Sequence, residues 1–288
     1  VDWEGRGVLE ASMVVIGDEL LGGFVEDSNS PWLAARLRDH GVPLTRVHVV
    51  PDEMDAIDEA LTAELARSRP RVVVTSGGLG STPDDITYEA VAASLGRELV
   101  VDPVLAAHMD TIVERTREHG LDVDEVFVDL LMRMARVPAG SRVLTDGDSW
   151  VPAVAVDVDG GSDDQGVTIV VLPGVPSAFR RLVERVVEPA MLADRNPVPT
   201  VVELTHSFPE SVLNATFAEL LERFPQVRLG SYPGSPMLVR LSGPDEPVEE
   251  ARRFVASAID ALTASPAGRR LADAWTRRPV VTDDEDAT

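Results

Sequence analysis

Within its first eighty residues the chain writes three apolar, β-branched runs separated by two segments of helical spacing, and the third run breaks into a glycine-rich loop. Leu9 to Ile16 holds Met13-Val14-Val15-Ile16, the continuous apolar run of a strand buried on both faces. Asp27 or Ser28 is placed to cap a helix through Pro31-Trp32-Leu33-Ala34-Ala35-Arg36-Leu37, which stops at His40-Gly41. Val42 to Val50 is β-branched and reads as a second strand. Glu53 to Arg67 carries Met54, Ile57, Leu61 and Leu65 at helical spacing, and Arg71-Val72-Val73-Val74-Thr75 is a third strand. This βαβαβ order predicts a parallel sheet covered by helices, the three-layer α/β/α arrangement.

Further on, 85–95, 102–119 and 124–136 read as helices. Val151–Val158 and Val167–Leu172 alternate around Asp159-Gly160-Gly161-Ser162-Asp163-Asp164, a hairpin turn by composition. Pro173-Gly174-Val175-Pro176 then precedes a helix from Ser177 to Leu192. Arg195-Asn196-Pro197-Val198-Pro199 reads as a linker. After it comes a compact β-α-β-β-α pattern over Thr200–Thr205, Pro209–Phe224, Val227–Ser231, Met237–Ser242 and Pro247–Leu262. The division expected is a large domain over 8–195, a small α+β domain over 199–264, and an acidic, disordered tail over 265–288 that ends in Thr282-Asp283-Asp284-Glu285-Asp286.

Composition narrows the chemistry by what is missing. There is no cysteine, hence no thiol nucleophile, disulfide or thiolate-bound zinc. There is no lysine, hence no Walker lysine and no Schiff base. Neither G-x-S-x-G nor H-E-x-x-H occurs. Acidic residues number 49 against 26 basic ones, all arginine, for a formal charge of −23. Such a surface repels nucleic acid and anionic membranes, so neither is an expected partner. Codon bias can exchange lysine for arginine but does not create the acid excess, and the balance reads as adaptation to high salt. The start Val1-Asp2-Trp3-Glu4-Gly5-Arg6 has no secretory pattern, and no apolar run reaches the roughly 18 residues of a membrane span. The expected location is cytoplasmic.

In a doubly wound sheet, ligands sit beyond the carboxyl ends of the strands. Two loops leave such ends here: Gly17-Asp18-Glu19-Leu20 after the first strand, and Ser76-Gly77-Gly78-Leu79-Gly80-Ser81-Thr82-Pro83-Asp84-Asp85-Ile86-Thr87 after the third. Glycines let backbone N–H groups approach an anion, and a helix starting near Asp85 would aim its positive end at the same point. The hydroxyls of Ser76, Ser81, Thr82 and Thr87 are further expected donors. Asp84 and Asp85 admit two readings. Either may cap the helix. Alternatively, they hold a divalent cation, Mg²⁺ being the usual one, that bridges carboxylate and phosphate.

Ile16-Gly17-Asp18-Glu19-Leu20-Leu21-Gly22-Gly23, Asp27-Ser28-Asn29, Trp32-Leu33-Ala34, the 76–87 loop and Leu172-Pro173-Gly174-Val175-Pro176-Ser177 together resemble the CinA family. These motifs lie in the family's order between about residues 10 and 193, and the β-α-β-β-α segment resembles the small second domain of those proteins. The amidase domain that many of them carry next is not expected, because the chain ends too soon. The resemblance implies a Rossmann-like molybdopterin-binding domain, related to the adenylyltransferase domains MogA and MoaB. It implies a pterin or nucleotide ligand and metal-dependent phosphoanhydride chemistry, either hydrolysis of ADP-ribose- or FAD-like dinucleotides or adenylyl transfer. A binding module without turnover is the alternative. Asp85 and Asp52 fall where the adenylyltransferases carry aspartates that matter for catalysis, and Asp84 joins Asp85 as a candidate metal ligand. Gly17, Asp18, Ser76 to Thr82, Pro173, Gly174, Pro176 and Ser177 are the implied ligand contacts. Related folds often self-associate, so a homo-oligomer is a further expectation. The chain departs from the family at Leu131 and Met134, apolar where CinA proteins usually carry Asn and Gln, and at Ala153, where a glycine is usual.

Other conspicuous residues have structural readings. His40 and His119 each precede a glycine at a helix end, where a cation complements the dipole and caps carbonyls. Glu19 reads as a solvated carboxylate, and Trp32 as core rather than a stacking platform. His48 lies within a strand, and His108 and His206 have no partner at metal-ligand spacing. The Arg269-Arg270 and Arg277-Arg278 pairs are too isolated to bind nucleic acid.

The acid excess generates a first prediction. Like charges repel over a Debye length of about 30 Å at 0.01 M salt and about 3 Å at 1 M. Melting should therefore come at lower temperature in about 0.1 M KCl than in about 2 M KCl. Equal melting temperatures by scanning calorimetry would refute salt adaptation.

Overall fold

A computed structural model of the chain describes residues 7–147, 149, 151–158 and 166–276. The hairpin turn at 159–164, the amino-terminal six residues, and the acidic end with Arg277-Arg278 lie outside the described residues. The chain divides between Val198 and Pro199 into two compact units.

The first unit opens with β1 (Glu10–Ile16), α1 (Asp18–Leu21), α2 (Asn29–Asp39), β2 (Leu44–Val50), α3 (Met54–Leu65) and β3 (Arg71–Ser76). It continues through α4 (Thr87–Ser94), β4 (Leu99–Val101), α5 (Pro103–Glu118), α6 (Glu125–Arg133), β5 (Arg136–Pro138) and β6 (Arg142–Leu144). It closes with β7 (Ala153–Val158), β8 (Val167–Leu172) and α7 (Pro176–Leu182), which runs into the wider π-type turns of Val183–Leu192. Six strands form one sheet in the order β2-β1-β3-β8-β7-β6. The first four are parallel, β7 runs antiparallel to them, and β6, antiparallel to β7, again runs in their direction. The β7–β8 hairpin agrees with the sequence pattern.

Burial on both faces explains the unbroken apolar runs. Successive side chains of β1 point to opposite sides, so Val14 and Ile16 enter one core while Met13 and Val15 enter the other. The first core is covered by α3 to α6 through Leu61, Val91, Met109 and Leu131. The second is covered by α2 and α7 through Leu33, Leu37, Phe179 and Leu182. Trp32 is partly buried against this second core, edge-on to Phe179 at 6.2 Å. Asp27 begins α2, its Oδ1 accepting from the amides of Asn29 and Ser30 at 3.0 Å each. The two three-residue strands β4 and β5 pair only with each other, and they are too short for a period-2 pattern to be read. No helix among the described residues is long and apolar enough to cross a membrane.

Two expectations are corrected. The segment Arg195–Pro199 is not simply a linker. Asn196 is buried, its Oδ1 accepts from Leu9 N at 2.9 Å, and its Nδ2 donates to Leu9 O at 2.8 Å and Gly41 O at 2.9 Å. One amide thereby clasps the end of the unit to the start of β1. The stretch after 264 is not all disordered tail either, since α10 (Pro266–Thr276) follows at once. Ser265 Oγ accepts from Gly268 N at 2.9 Å and proline takes the first helical position, an N-terminal signal that the acidic bias beyond it masks.

The rest of the second unit has the expected β-α-β-β-α order: β9 (Thr200–His206), a 3₁₀ turn leading into α8 (Asn214–Arg223), β10 (Arg228–Tyr232), β11 (Met237–Gly243) and α9 (Asp245–Ala264). Its three strands are antiparallel in the order β10-β11-β9. Leu213, Phe217 and Leu220 pack with Val239, Leu241 and Val255 into a core of their own.

The amino ends of the central strands carry a buried charge cluster. Arg71 at the start of β3 and Glu64 at the end of α3 are both fully buried, 3.5 Å apart. Glu64 also takes His48 Nε2 at 2.8 Å and Arg67 Nε at 3.4 Å, and Arg71 Nη2 donates to Glu10. Burial pushes the Glu64 carboxyl up, but His48 and the guanidiniums of Arg67 and Arg71 outweigh it and hold the group below its usual range. A carboxyl lowered on folding stabilises the fold above its unfolded pKa, and that contribution disappears as pH falls through the folded value. Glu64→Gln should cost about 3–5 kcal/mol at neutral pH, because Arg71 is left buried with too little negative charge. The deficit should shrink on acidification. Urea denaturation of both proteins between neutral and acidic pH checks it, and a pH-independent deficit would assign the loss to packing.

Candidate functional site

The strand order reverses between β1 and β3: from β1 the chain moves outward to β2, then returns to β3 on the other side. This switch point leaves a crevice beyond the carboxyl ends of the two strands. Val15 pairs with Ser76, so Gly17 and Gly77 leave the sheet side by side. Gly77 has φ +111, and a Cβ there would stand 2.1 Å from Ile16 O, so only glycine fits. Gly174 closes the third side, since a Cβ on it would lie 3.2 Å from Gly77 Cα. The Gly17, Gly77 and Gly174 loops are thus in backbone contact.

Asn29 stitches them together. Its Nδ2 donates to Ser76 Oγ at 3.1 Å and to Gly174 O at 2.8 Å, while its buried Oδ1 has no partner. Its place in Asp27-Ser28-Asn29, directly before a helix, was the available signal, and reading only for caps passes over it. Thr87 does the same on the other flank. Its Oγ1 donates to Gly77 O at 2.8 Å and its amide to Gly78 O at 3.2 Å.

Several expected ligand donors therefore serve the loop itself. Ser76 Oγ accepts from Asn29, Thr87 Oγ1 is bound to Gly77, and Thr82 Oγ1 donates to Asp85 Oδ2. Leu79 turns its side chain into the core. The amides of Gly78, Leu79, Gly80 and Ser81 remain: four in succession, with no acceptor among the described residues. Consecutive free amides on a glycine loop form an anion-binding concavity. Pro173 is buried at the base of its loop, while Gly174, Pro176 and Ser177 are exposed at the rim.

The helix after the loop starts at Thr87, not at Asp85, and neither Asp84 nor Asp85 caps it. Asp85 closes a turn: Oδ2 accepts from Thr82 N at 2.9 Å and packs against Gly80, where a Cβ would approach it to 2.4 Å. Asp84 is exposed. Asp52, in the loop after β2, reaches the crevice: its Oδ2 accepts from Asp18 N at 3.0 Å, and its Oδ1 lies 3.5 Å from where a Gly78 Cβ would stand. Glu19 is exposed. Arg133 at the end of α6 forms a lip, with Nη2 3.2 Å from Glu89 Oε1 and 3.4 Å from Asp85 O. Met134 and Tyr88 line the same small cleft, and Leu131 lies in the core. The departure at 134 thus puts an apolar side chain in this wall, and the one at 131 adds to the core behind it. Ala153 is buried in β7, facing Leu144 across the ladder.

Among the described residues no three histidines or carboxylates converge at metal-ligand spacing. His119 reaches a helix-end carbonyl as expected, its Nδ1 2.6 Å from Arg115 O, whereas the side chain of His40 meets Glu188 instead, Nε2 at 3.2 Å.

Residues 12–193 match the family described as a probable molybdopterin binding domain. Protein TK1472 of Thermococcus kodakarensis is 34% identical over 223 residues, covering 77% of this chain and 85% of that protein. A CinA-like protein of Myxococcus xanthus is 35% identical over 228 residues, 77% of this chain and 51% of its own length. The crystal structure of the protein CinA, of unknown function, from Thermoplasma acidophilum aligns with a TM-score of 0.50 at 28% identity, over 61% of this chain and 94% of that one.

Asp52 generates the prediction. Desolvation raises its pKa most, and repulsion from Asp18, Glu19 and Asp84 adds to this against the opposing hydrogen bond from the Asp18 amide. A carboxyl raised on folding favours the fold while it is protonated in both states, and the fold is penalised as pH rises through the folded value. Asp52→Asn keeps an oxygen for the Asp18 amide and removes the charge. It should raise Tm at neutral pH and leave Tm unchanged at acid pH, where wild type is already protonated. A lower neutral Tm would mean that the carboxylate is stabilised rather than strained.

Proposed function

Since the chain belongs to the molybdopterin-binding-domain family and to its CinA-like members, we propose that the crevice binds a phosphate-bearing pterin or nucleotide and catalyses metal-dependent chemistry on its phosphoanhydride. The four free amides of Gly78 to Ser81 carry this reading. They offer hydrogen bonds to an anion where two strand ends and a third loop meet, in a chain whose surface is otherwise hostile to anions.

Asp52 and Asp85 stand on different loops on either side of that nest, and no third carboxylate joins them among the described residues. One or two protein carboxylates, with the remaining positions left to phosphate oxygens and water, suit Mg²⁺. Bound there, the ion would neutralise charge on the phosphoanhydride and polarise it. Asp85, fixed by Thr82 and Gly80, is the positioned ligand. Asp52, with its raised pKa, is suited to take a proton at Oδ1 from an attacking water or hydroxyl. Attack by water gives hydrolysis of a dinucleotide, and attack by a pterin phosphate on ATP gives adenylyl transfer. Asp84, exposed on the loop, fits the second shell of charge better than direct ligation. The competing reading is a binding module without turnover, which would need only the free amides of the loop.

Turnover of ADP-ribose, FAD or ATP in MgCl₂ separates the two. If the chemistry is present, Asp85→Asn should lower kcat by about 100-fold or more with the fold retained, and added Mg²⁺ should recover part of the loss. Asp84→Asn should change kcat little. Binding of the same compounds with no turnover by wild type would establish the module, and a wild-type rate for Asp85→Asn would place the chemistry elsewhere.

A further inference from the structure

Several arginines among the described residues pair with carboxylates, and those that also lie over an aromatic ring, Arg36, Arg223 and Arg240, each have one. Arg36, Arg71, Arg133, Arg142, Arg181 and Arg240 each hold one. Arg180, half-buried on α7, does not. Among the described residues it meets no carboxylate, although acidic side chains outnumber basic ones almost two to one. Its guanidinium lies over the Trp32 ring, Cζ 5.6 Å from the centroid, and Nη2 reaches Ser28 O only at 3.5 Å. Its Nε is buried with no acceptor.

The placement is specific. Ser28 adjoins Asn29, whose amide joins Ser76 to Gly174, and α7 begins two residues after Gly174. Arg180 therefore stands at the Gly174 side of the crevice, while the free amides run along the Gly78–Ser81 side. A ring face supports the guanidinium without using its N–H groups, and with Nε buried and Nη2 toward Ser28 O, Nη1 is the donor left for a phosphate oxygen.

We infer that Arg180 is an anion-binding residue of the crevice that takes a second phosphoryl group of the ligand, so that the site selects diphosphate-containing compounds over monophosphates. This deepens the reading of the glycine loop and rests on it.

Inorganic pyrophosphate and orthophosphate serve as probes, titrated calorimetrically into the full chain in buffer containing MgCl₂. Wild type should bind pyrophosphate about tenfold or more tightly than orthophosphate. Arg180→Gln should lose that preference while keeping its affinity for orthophosphate, and Arg180→Lys should recover part of it. Arg185→Gln, an exposed arginine further along the same helical segment, should behave as wild type. Gly80→Val, which displaces Asp85 from the loop, should lose both anions. If Arg180→Gln keeps the preference while Gly80→Val binds neither anion, the inference falls and the loop reading stands. If Arg180→Gln loses the preference and Gly80→Val binds normally, Arg180 holds the anion and the loop does not. If wild type binds neither, both fall. A Tm for Arg180→Gln equal to wild type, with no recovery by lysine, would assign the effect to the shape of the side chain and overturn a charge role.

Discussion

The first unit depends on one steric fact: three loops meet at the switch point with no room for a side chain between them. Gly77 passes Ile16 O at a distance no Cβ tolerates, and Gly174 lies against Gly77. The sheet order brings these ends together, but the contact is what turns three strand ends into one concavity. It also leaves the backbone as the main donor. Once Asn29 and Thr87 have secured the loops with their side chains, the amides of Gly78 to Ser81 are left with no acceptor among the described residues. Rigidity and ligand capacity come from the same hydrogen bonds, because a loop whose carbonyls are tied is a loop whose amides stay presented.

Electrostatics then sets this end of the sheet against the other. β3 begins with Arg71 and ends with Ser76, a span of roughly 20 Å. At its start, buried charges of both signs meet: Arg71 with Glu10 and Glu64, and Glu64 with His48 and Arg67. At its far end Asp52 is raised by burial and by carboxylates of its own sign. The first arrangement is a compensated cluster that suits a scaffold. The second keeps carboxylates of one sign close together in the loop after β2, the edge strand, most of whose residues are not buried.

Much of the fold was legible in the sequence because parallel central strands must be apolar throughout, and Met13 to Ile16 and Val72 to Thr75 could be little else. The glycine loop was legible for a related reason, since glycines in succession at a strand end have few other uses. What the sequence hid was the assignment of polar atoms. Ser76, Thr82 and Thr87 look like ligand donors by type, but each is engaged within the loop, and Thr87 rather than Asp85 opens the helix. A hydroxyl or an aspartate fits a cap, a turn and a ligand contact equally well, and only the positions of its neighbours decide. Asn196 was hidden in the same way: between prolines it has the composition of a linker, yet it is a buried clasp.

An acidic chain also changes which charges are informative. With 49 carboxylates, a cluster of aspartates says little, since any surface loop collects them. A guanidinium laid on an aromatic ring with no carboxylate beside it says more, since Arg36, Arg223 and Arg240 on their rings each have one. Arg180 rests on Trp32 where the crevice opens at Gly174, and Arg133 reaches from α6 to the opposite lip, already held by Glu89. The difference between the two follows from their neighbours. Arg133 has an acidic partner within its own layer of helices and keeps the loop in place through Asp85 O, whereas Arg180 has an aromatic face, which steadies a cation without neutralising it. In a chain of net charge −23, a guanidinium that is steadied and not neutralised, across the crevice from amides with no acceptor, is the contact on which the proposed binding of a phosphate would most depend.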